Sequence, residues 1–228
     1  MQHTVDIISD TICPWCLIGK RRFERALAQR PDLEVQIDWR PFQLNPEMPR
    51  EGLDRKSYLE AKFGGPERAR QVYDQIRDAG AEEGIDFDFQ RIPRTPNTID
   101  SHRLIRWAAS AGVQDMVVER LFQAYFEHGE DIGDRQVLLD IAEAAGMERG
   151  LVADLLEEDS DTDLIRKEDA LARQMGVQGV PCFIIDRKYV VSGAQDPEIF
   201  LKAFDLAEEN EDIPSDEIAI GAADDAAT

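Results

Sequence analysis

The sequence predicts an α/β protein whose small sheet is interrupted by a long helical stretch. Three observations carry this. Strand-like residues 4–9 and 33–39 flank a helical run, giving strand, helix, strand at the start. From residue 41 to 160 the apolar residues recur mainly at helical spacing, and after 160 the order becomes helix, strand, strand, helix. The chain therefore divides into a discontinuous α/β domain (1–40 and 161–209), an inserted helical domain (41–160) and an acidic tail (210–228). With 228 residues, 43% of them hydrophobic, it is long enough to bury a full core.

Thr4-Val5-Asp6-Ile7-Ile8-Ser9 mixes β-branched and polar residues as in a short, largely buried strand. After Cys13-Pro14-Trp15-Cys16, the residues Cys16, Lys20, Phe23 and Leu27 recur at helical spacing until Pro31, which a helix interior does not tolerate. Cys13 thus falls at or beside the helix N-cap, and Pro14 occupies the first turn, where its missing N–H costs nothing. Leu33, Val35, Ile37 and Trp39 then alternate with polar residues, the pattern of a strand with one buried face. If the two strands pair in parallel, the helix is a crossover and Cys13 lies at their carboxyl ends.

The inserted stretch opens on a proline-rich connection, Arg40 to Pro49. Tyr58 to Phe63 reads as a short helix stopped by Gly64-Gly65, and Pro66 begins another that Gly80 ends. Ile85, Phe87 and Phe89 alternate with acids ahead of Pro93 and Pro96, as in a loop packed over something apolar. Asn97-Thr98 and Asp134 are caps for helices ending at Gly112 and Gly146; between them a helix runs to Gly129, and Leu151 to Leu156 suggests one more. Trp39 and Trp107 are expected in the core, and His102 and His128 as surface or capping residues.

Asp161-Thr162 should cap a helix that ends at Gly176. The run Val177 to Asp186 reads as a turn, a proline and a strand, and Asp186-Arg187-Lys188 connects it to Tyr189-Val190-Val191-Ser192 in a hairpin. Asp196-Pro197 opens a last helix. No Lys or Arg follows Lys202, and the crowded carboxylates there predict a fraying, solubilising tail.

The chemistry centres on Cys13 and Cys16. Two thiols one helical turn apart can close and reopen a disulfide with little movement elsewhere. The unpaired N–H groups and positive dipole of the helix start favour an anion, which makes Cys13 the candidate nucleophile and Cys16 the resolving thiol. The other reading of such a pair, half of a zinc site, lacks a second paired motif: only Cys182, His3, His102 and His128 remain besides carboxylates, so no metal is expected. Trp15, a large aromatic at an exposed turn, suits contact with a substrate chain. A formal net charge of −21 argues against nucleic acid or an anionic membrane as partner. Neither a signal peptide nor a bilayer-length apolar run is visible, and three cysteines make no disulfide scaffold, so a cytoplasmic location is expected.

Together, Cys13-Pro14-Trp15-Cys16 after the first strand and Gly179-Val180-Pro181 before the third resemble the landmarks of the thioredoxin fold of the DsbA type, with its large helical insertion. Trp39-Arg40-Pro41-Phe42-Gln43-Leu44-Asn45-Pro46 and Ser192-Gly193-Ala194-Gln195 are similar to stretches of the FrnE-like branch, related to 2-hydroxychromene-2-carboxylate isomerases and kappa-class glutathione transferases. The resemblance implies a cis Val180-Pro181 peptide facing the cysteines. It also implies a substrate-binding surface of Pro14, Trp15, Val180 and Pro181, in which the Val180 backbone pairs with an extended segment. Cys182 departs from the branch's usual apolar residue and is expected in the core rather than as a third redox thiol. The implied activity is that of a thiol–disulfide oxidoreductase, needing no cofactor and acting on protein or small-molecule disulfides, with glutathione a further candidate partner. Two alternatives stay open: a glutathione-dependent isomerase or transferase, whose relatives generally carry serine at the position of Cys13, and a non-enzymatic adaptor.

Overall fold

The computed structural model describes residues 2–210; the expected acidic tail beyond Asn210 lies outside the described residues. The first half of the sheet forms as the patterning predicts. Strand β1 (Gln2–Ser9) pairs in parallel with β2 (Glu34–Pro41), from Gln2 opposite Glu34 to Ser9 opposite Pro41. Helix α1 (Pro14–Gln29) is the crossover between them.

A two-residue pairing of β3 (Leu53–Asp54) with β4 (Arg94–Thr95), too short to leave a periodic signal, then brackets α2 (Arg55–Phe63) and α3 (Pro66–Glu82). Helices α4 (Ile99–Ser110), α5 (Gln114–Phe126), α6 (Arg135–Ala144), α7 (Arg149–Glu157) and α8 (Thr162–Gln174) follow. Strands β5 (Cys182–Ile185) and β6 (Tyr189–Ser192) and helix α9 (Pro197–Glu209) complete the order. Both β1–β5 and β5–β6 are antiparallel, and the sheet runs β2-β1-β5-β6. Among the described residues no helix is long and apolar enough to cross a membrane.

Strand alternation splits the apolar residues between two clusters. Val5, Ile7, Phe183 and Ile185 join the large core, where Phe23 of α1 meets Phe183 and Phe200, each at 5.3 Å between ring centroids. Ile8 and Cys182, directly opposite each other, turn to a smaller cluster with Phe42 and Ala172. The helical stretch docks on the large core: Trp39 of β2 meets Phe122 of α5 edge to face at 6.4 Å. Polar groups reinforce this junction. Lys20, 3% exposed on α1, is within ion-pair distance of Glu24, Asp115 and Glu119, while Arg21 forks onto Glu119. Burial alone would depress the Lys20 ammonium, but these carboxylates hold its pKa above the ordinary lysine value.

Several expectations need correction. Gly80 does not end α3: it lies inside the helix, where a Cβ would overlap the Phe87 ring, and Gly84, at φ +72°, makes the turn instead. The loop of Ile85, Phe87 and Phe89 packs as expected, with Phe87 stacked on Phe89 at 4.7 Å and edge-on to Phe126 at 5.5 Å. Trp107 is only half buried, because its Nε1 reaches out to the Asp161 carboxylate. That bond also takes Asp161 away from capping α8, and at the start of α4 the capping oxygen belongs to Asn97 rather than Thr98. His102 is buried, while His128 is exposed.

Gly80→Ala should lower unfolding stability by about 1–3 kcal/mol although alanine is the better helix former, because the added methyl overlaps a ring locked in an aromatic cluster. Urea denaturation measures this, and Phe87→Leu in the same chain should recover part of the loss.

Candidate active site

The dithiol is built where β1 hands over to α1. Ser9 ends the strand, the Cys13 N–H bonds back to the Asp10 carbonyl at 3.0 Å, and Cys13 takes the N-cap position in extended conformation (φ −93°, ψ 111°). Pro14 follows as the first helical residue, and the Cys16 N–H donates to the Cys13 carbonyl at 3.0 Å. Both cysteines are free thiols, 4% and 1% exposed, whereas Trp15 between them is 37% exposed.

The second half of the site arrives from 167 residues away. The Cys13 thiol donates to the Val180 carbonyl across 3.6 Å, and the Val180-Pro181 peptide bond is cis. The Pro181 carbonyl accepts from Gly193 at 2.8 Å, joining this turn to the loop after β6. The Val180 N–H makes no hydrogen bond among the described residues. The approach depends on Gly19, one turn beyond Cys16. A Cβ there would stand 2.8 Å from Pro181 Cγ and 3.4 Å from Phe183. The sequence reading missed Gly19; its signal was a glycine inside an otherwise helical pattern.

The two thiols sit in different surroundings. Burial pushes the Cys16 thiol well above the ordinary cysteine range, and the Cys13 sulfur beside it pushes it further, while Ser9 and the Asp10 backbone pull the other way. Cys182 is 4% exposed in the smaller cluster, on the sheet face opposite the dithiol, and burial raises its pKa to about 11. Its place is in packing.

Beneath the turn lies a polar floor that sequence reasoning did not find. Asp10, fully buried, accepts from the Leu44 N–H at 2.7 Å with Oδ2, and its Oδ1 stands 3.4 Å from His102 Nε2. His102 Nε2 bonds the Phe42 carbonyl at 3.2 Å, and the Thr11 and Ser101 hydroxyls meet at 2.8 Å. Together these contacts pin the Phe42–Leu44 segment and α4 against the turn that carries Cys13. Nothing in spacing marks them, because an Asp after a strand reads as an ordinary turn residue.

Comparison with known proteins agrees with this architecture. A family model described as the DSBA-like thioredoxin domain matches residues 4–205. The crystal structure of a probable DsbA oxidoreductase from Streptomyces coelicolor superimposes with a TM-score of 0.83 at 32% identity, over 96% of this chain and 95% of that one. The uncharacterized protein YwbO of Bacillus subtilis is 27% identical over 200 residues, 87% of this chain and 94% of its own. The cytosolic disulfide reductase DsbM of Pseudomonas aeruginosa, solved also with GSH, shares the fold at 18% identity and a TM-score of 0.62, over 90% of this chain and 98% of that one.

Two outcomes follow from the geometry. Gly19→Ala should cost about 1–3 kcal/mol in urea denaturation, since the methyl must push α1 away from Pro181. The folded state holds the Cys182 proton more tightly than the unfolded chain. Stability linked to it is therefore complete below about pH 9 and lost as the pH rises toward about 11. Cys182→Val should flatten the alkaline fall in stability across that window relative to wild type, and an unchanged slope would show the thiol ionising freely in the fold.

Proposed function

The chain belongs to the family of DSBA-like thioredoxin domains, and on that premise we propose that it is a thiol–disulfide oxidoreductase using Cys13 and Cys16. The observation that carries this reading is the contact of the Cys13 sulfur with the Val180 carbonyl, which brings a helix-start dithiol against the turn of residues 180–181. Cys13 occupies the positive end of α1 and is the nucleophile. Its thiolate attacks one sulfur of a substrate disulfide, the substrate S–S bond breaks, and the departing thiolate takes a proton. Cys16 then gives up its proton and attacks the Cys13 sulfur, releasing the second substrate thiol. The enzyme ends as the disulfide and the substrate has gained two electrons.

The raised Cys16 pKa suits this order. Burial holds the proton on Cys16 while both sulfurs are reduced, the neighbouring Cys13 sulfur adds to this, and that second contribution ends once Cys13 enters a mixed disulfide. Trp15 offers an exposed aromatic surface beside the pair, and the unbonded Val180 N–H suits pairing with an extended substrate segment. Pro14 and Pro181 complete that surface. The DsbM structure with GSH supports glutathione as a partner that returns the enzyme to its dithiol form. In a cytoplasmic, reducing setting the net task is reduction or isomerisation of disulfides.

Insulin reduction driven by a glutathione-recycling system tests the reading. Wild type should show turnover, Cys13→Ala should fall to the uncatalysed background, and Cys16→Ala should accumulate a mixed disulfide on Cys13, visible by mass spectrometry. Turnover that survives Cys13→Ala would overturn the proposal.

A further inference from the structure

Arg55 opens α2 and is 5% exposed, yet no carboxylate lies within ion-pair distance of it among the described residues. Its guanidinium faces three rings, 5.1 Å from the centroid of Tyr73, 5.6 Å from Tyr125 and 5.8 Å from Phe89. Nη1 donates to the Tyr125 hydroxyl at 2.8 Å, but Nη2 is buried with no acceptor. Ring faces attract a cation without neutralising it. Burial holds the Tyr73 and Tyr125 phenols above their ordinary range, so neither supplies a negative charge. Asp131, within electrostatic reach of Tyr125, already accepts from the Gly133 N–H and pairs with Arg94 at 3.7 Å. The fully buried Arg103 makes the contrast: its Nε, Nη1 and Nη2 bond the Ser160 carbonyl, Asp100 and the Leu155 carbonyl.

Helix α2 is tied to the turn that carries Cys13: its Tyr58 bonds Asn45, the preceding Leu44 N–H bonds the Asp10 carboxylate, and the Asp10 carbonyl accepts from the Cys13 N–H. The Tyr73 hydroxyl lies within electrostatic reach of Arg55, Lys62, Tyr58 and the Cys13 sulfur together. Asn45 borders the same group: its Oδ1 accepts from the Tyr58 hydroxyl at 2.7 Å, while its Nδ2 is buried without an acceptor. Lys62, exposed at the rim, donates to Tyr58 at 3.1 Å. Such a gathering of positive charge and free N–H donors runs against the trend of a chain with a net charge of −21.

We propose that Arg55 is the receptor for a carboxylate carried by the substrate, holding it while the substrate's sulfur is joined to Cys13. A guanidinium edge without a counter-ion fits a carboxylate through paired, charge-assisted hydrogen bonds. Nη2 is closed to solvent in this arrangement, so one of the rings around the guanidinium must move aside for a carboxylate to enter. The substrate class is therefore a small thiol or disulfide bearing a carboxylate near its sulfur. This inference rests on the reading of Cys13 as nucleophile.

The test is single-turnover oxidation of the reduced full chain by two disulfides of similar size, the dianion 3,3′-dithiodipropionate and the neutral bis(2-hydroxyethyl) disulfide. Repulsion by the net charge alone predicts that the dianion is slower. The proposal predicts that it is faster in wild type by about tenfold or more. The ratio of the two rates should collapse in Arg55→Gln and partly return in Arg55→Lys. Added propionate should slow the dianion and spare the neutral probe in wild type, a readout independent of how the variants fold. A ratio unchanged in folded Arg55→Gln, or propionate acting on both probes alike, overturns the carboxylate receptor. A dianion slower than the neutral probe in wild type likewise overturns the receptor, whereas failure of both probes to oxidise wild type overturns the dithiol reading itself.

Discussion

Everything at the candidate site depends on how closely α1 passes the turn of residues 180–181. That approach is a steric allowance made by Gly19, which leaves no side chain between the helix and Pro181. Because the Cys13 thiol reaches the Val180 carbonyl from the N-cap of the same helix, seating α1 also seats that thiol. The sheet supplies the other side. Phe183, one residue past Cys182, packs under α1 against Phe23 and Phe200, so the strand that follows Pro181 is held by the same core that holds the helix.

The helical stretch is tied to α1 by apolar packing and by charges together. Lys20 and Arg21 present their cations to Glu119 and Asp115 of α5 just beyond the dithiol turn. Buried cations of this kind cost desolvation, and the cost is tolerable only where carboxylates crowd around them, as they do here. On the other flank, Asp10, His102 and Ser101 hold the Phe42–Leu44 segment and α4 under the turn. The dithiol is thus supported from the sheet, from α4 and from α5. Arg55 departs from this economy of paired charges, and that departure is what makes it informative.

Much of the fold could be read from the sequence because its signals are local. Period-two alternation from Leu33 to Trp39, proline at the first helical position after Cys13 and Asp196, and Asp134 as a cap act over a few residues, and each appears where expected. The misreadings share a cause. By local pattern Gly80 reads as a stop, but its smallness serves Phe87 across a loop, and Trp107 and Asp161 read separately as core and cap although they bond each other. The β3–β4 pairing joins residues about forty apart over only two positions, too little for a pattern to reveal.

By itself the sequence determined a dithiol at a strand-to-helix junction, the order of elements around it, and the expectation that Pro181 meets it, the last through resemblance rather than spacing. Only the tertiary structure decided that Cys182 faces the opposite side of the sheet, that Gly19 sets the approach to Pro181, and that a turn aspartate and His102 are buried together. It alone showed that Arg55 is enclosed by aromatic rings, with no counter-charge among the described residues. The physical reason is range. Caps, turns and periodicity are written within one or two helical turns of chain, whereas burial, charge pairing and steric room are properties of what distant segments bring to the same place.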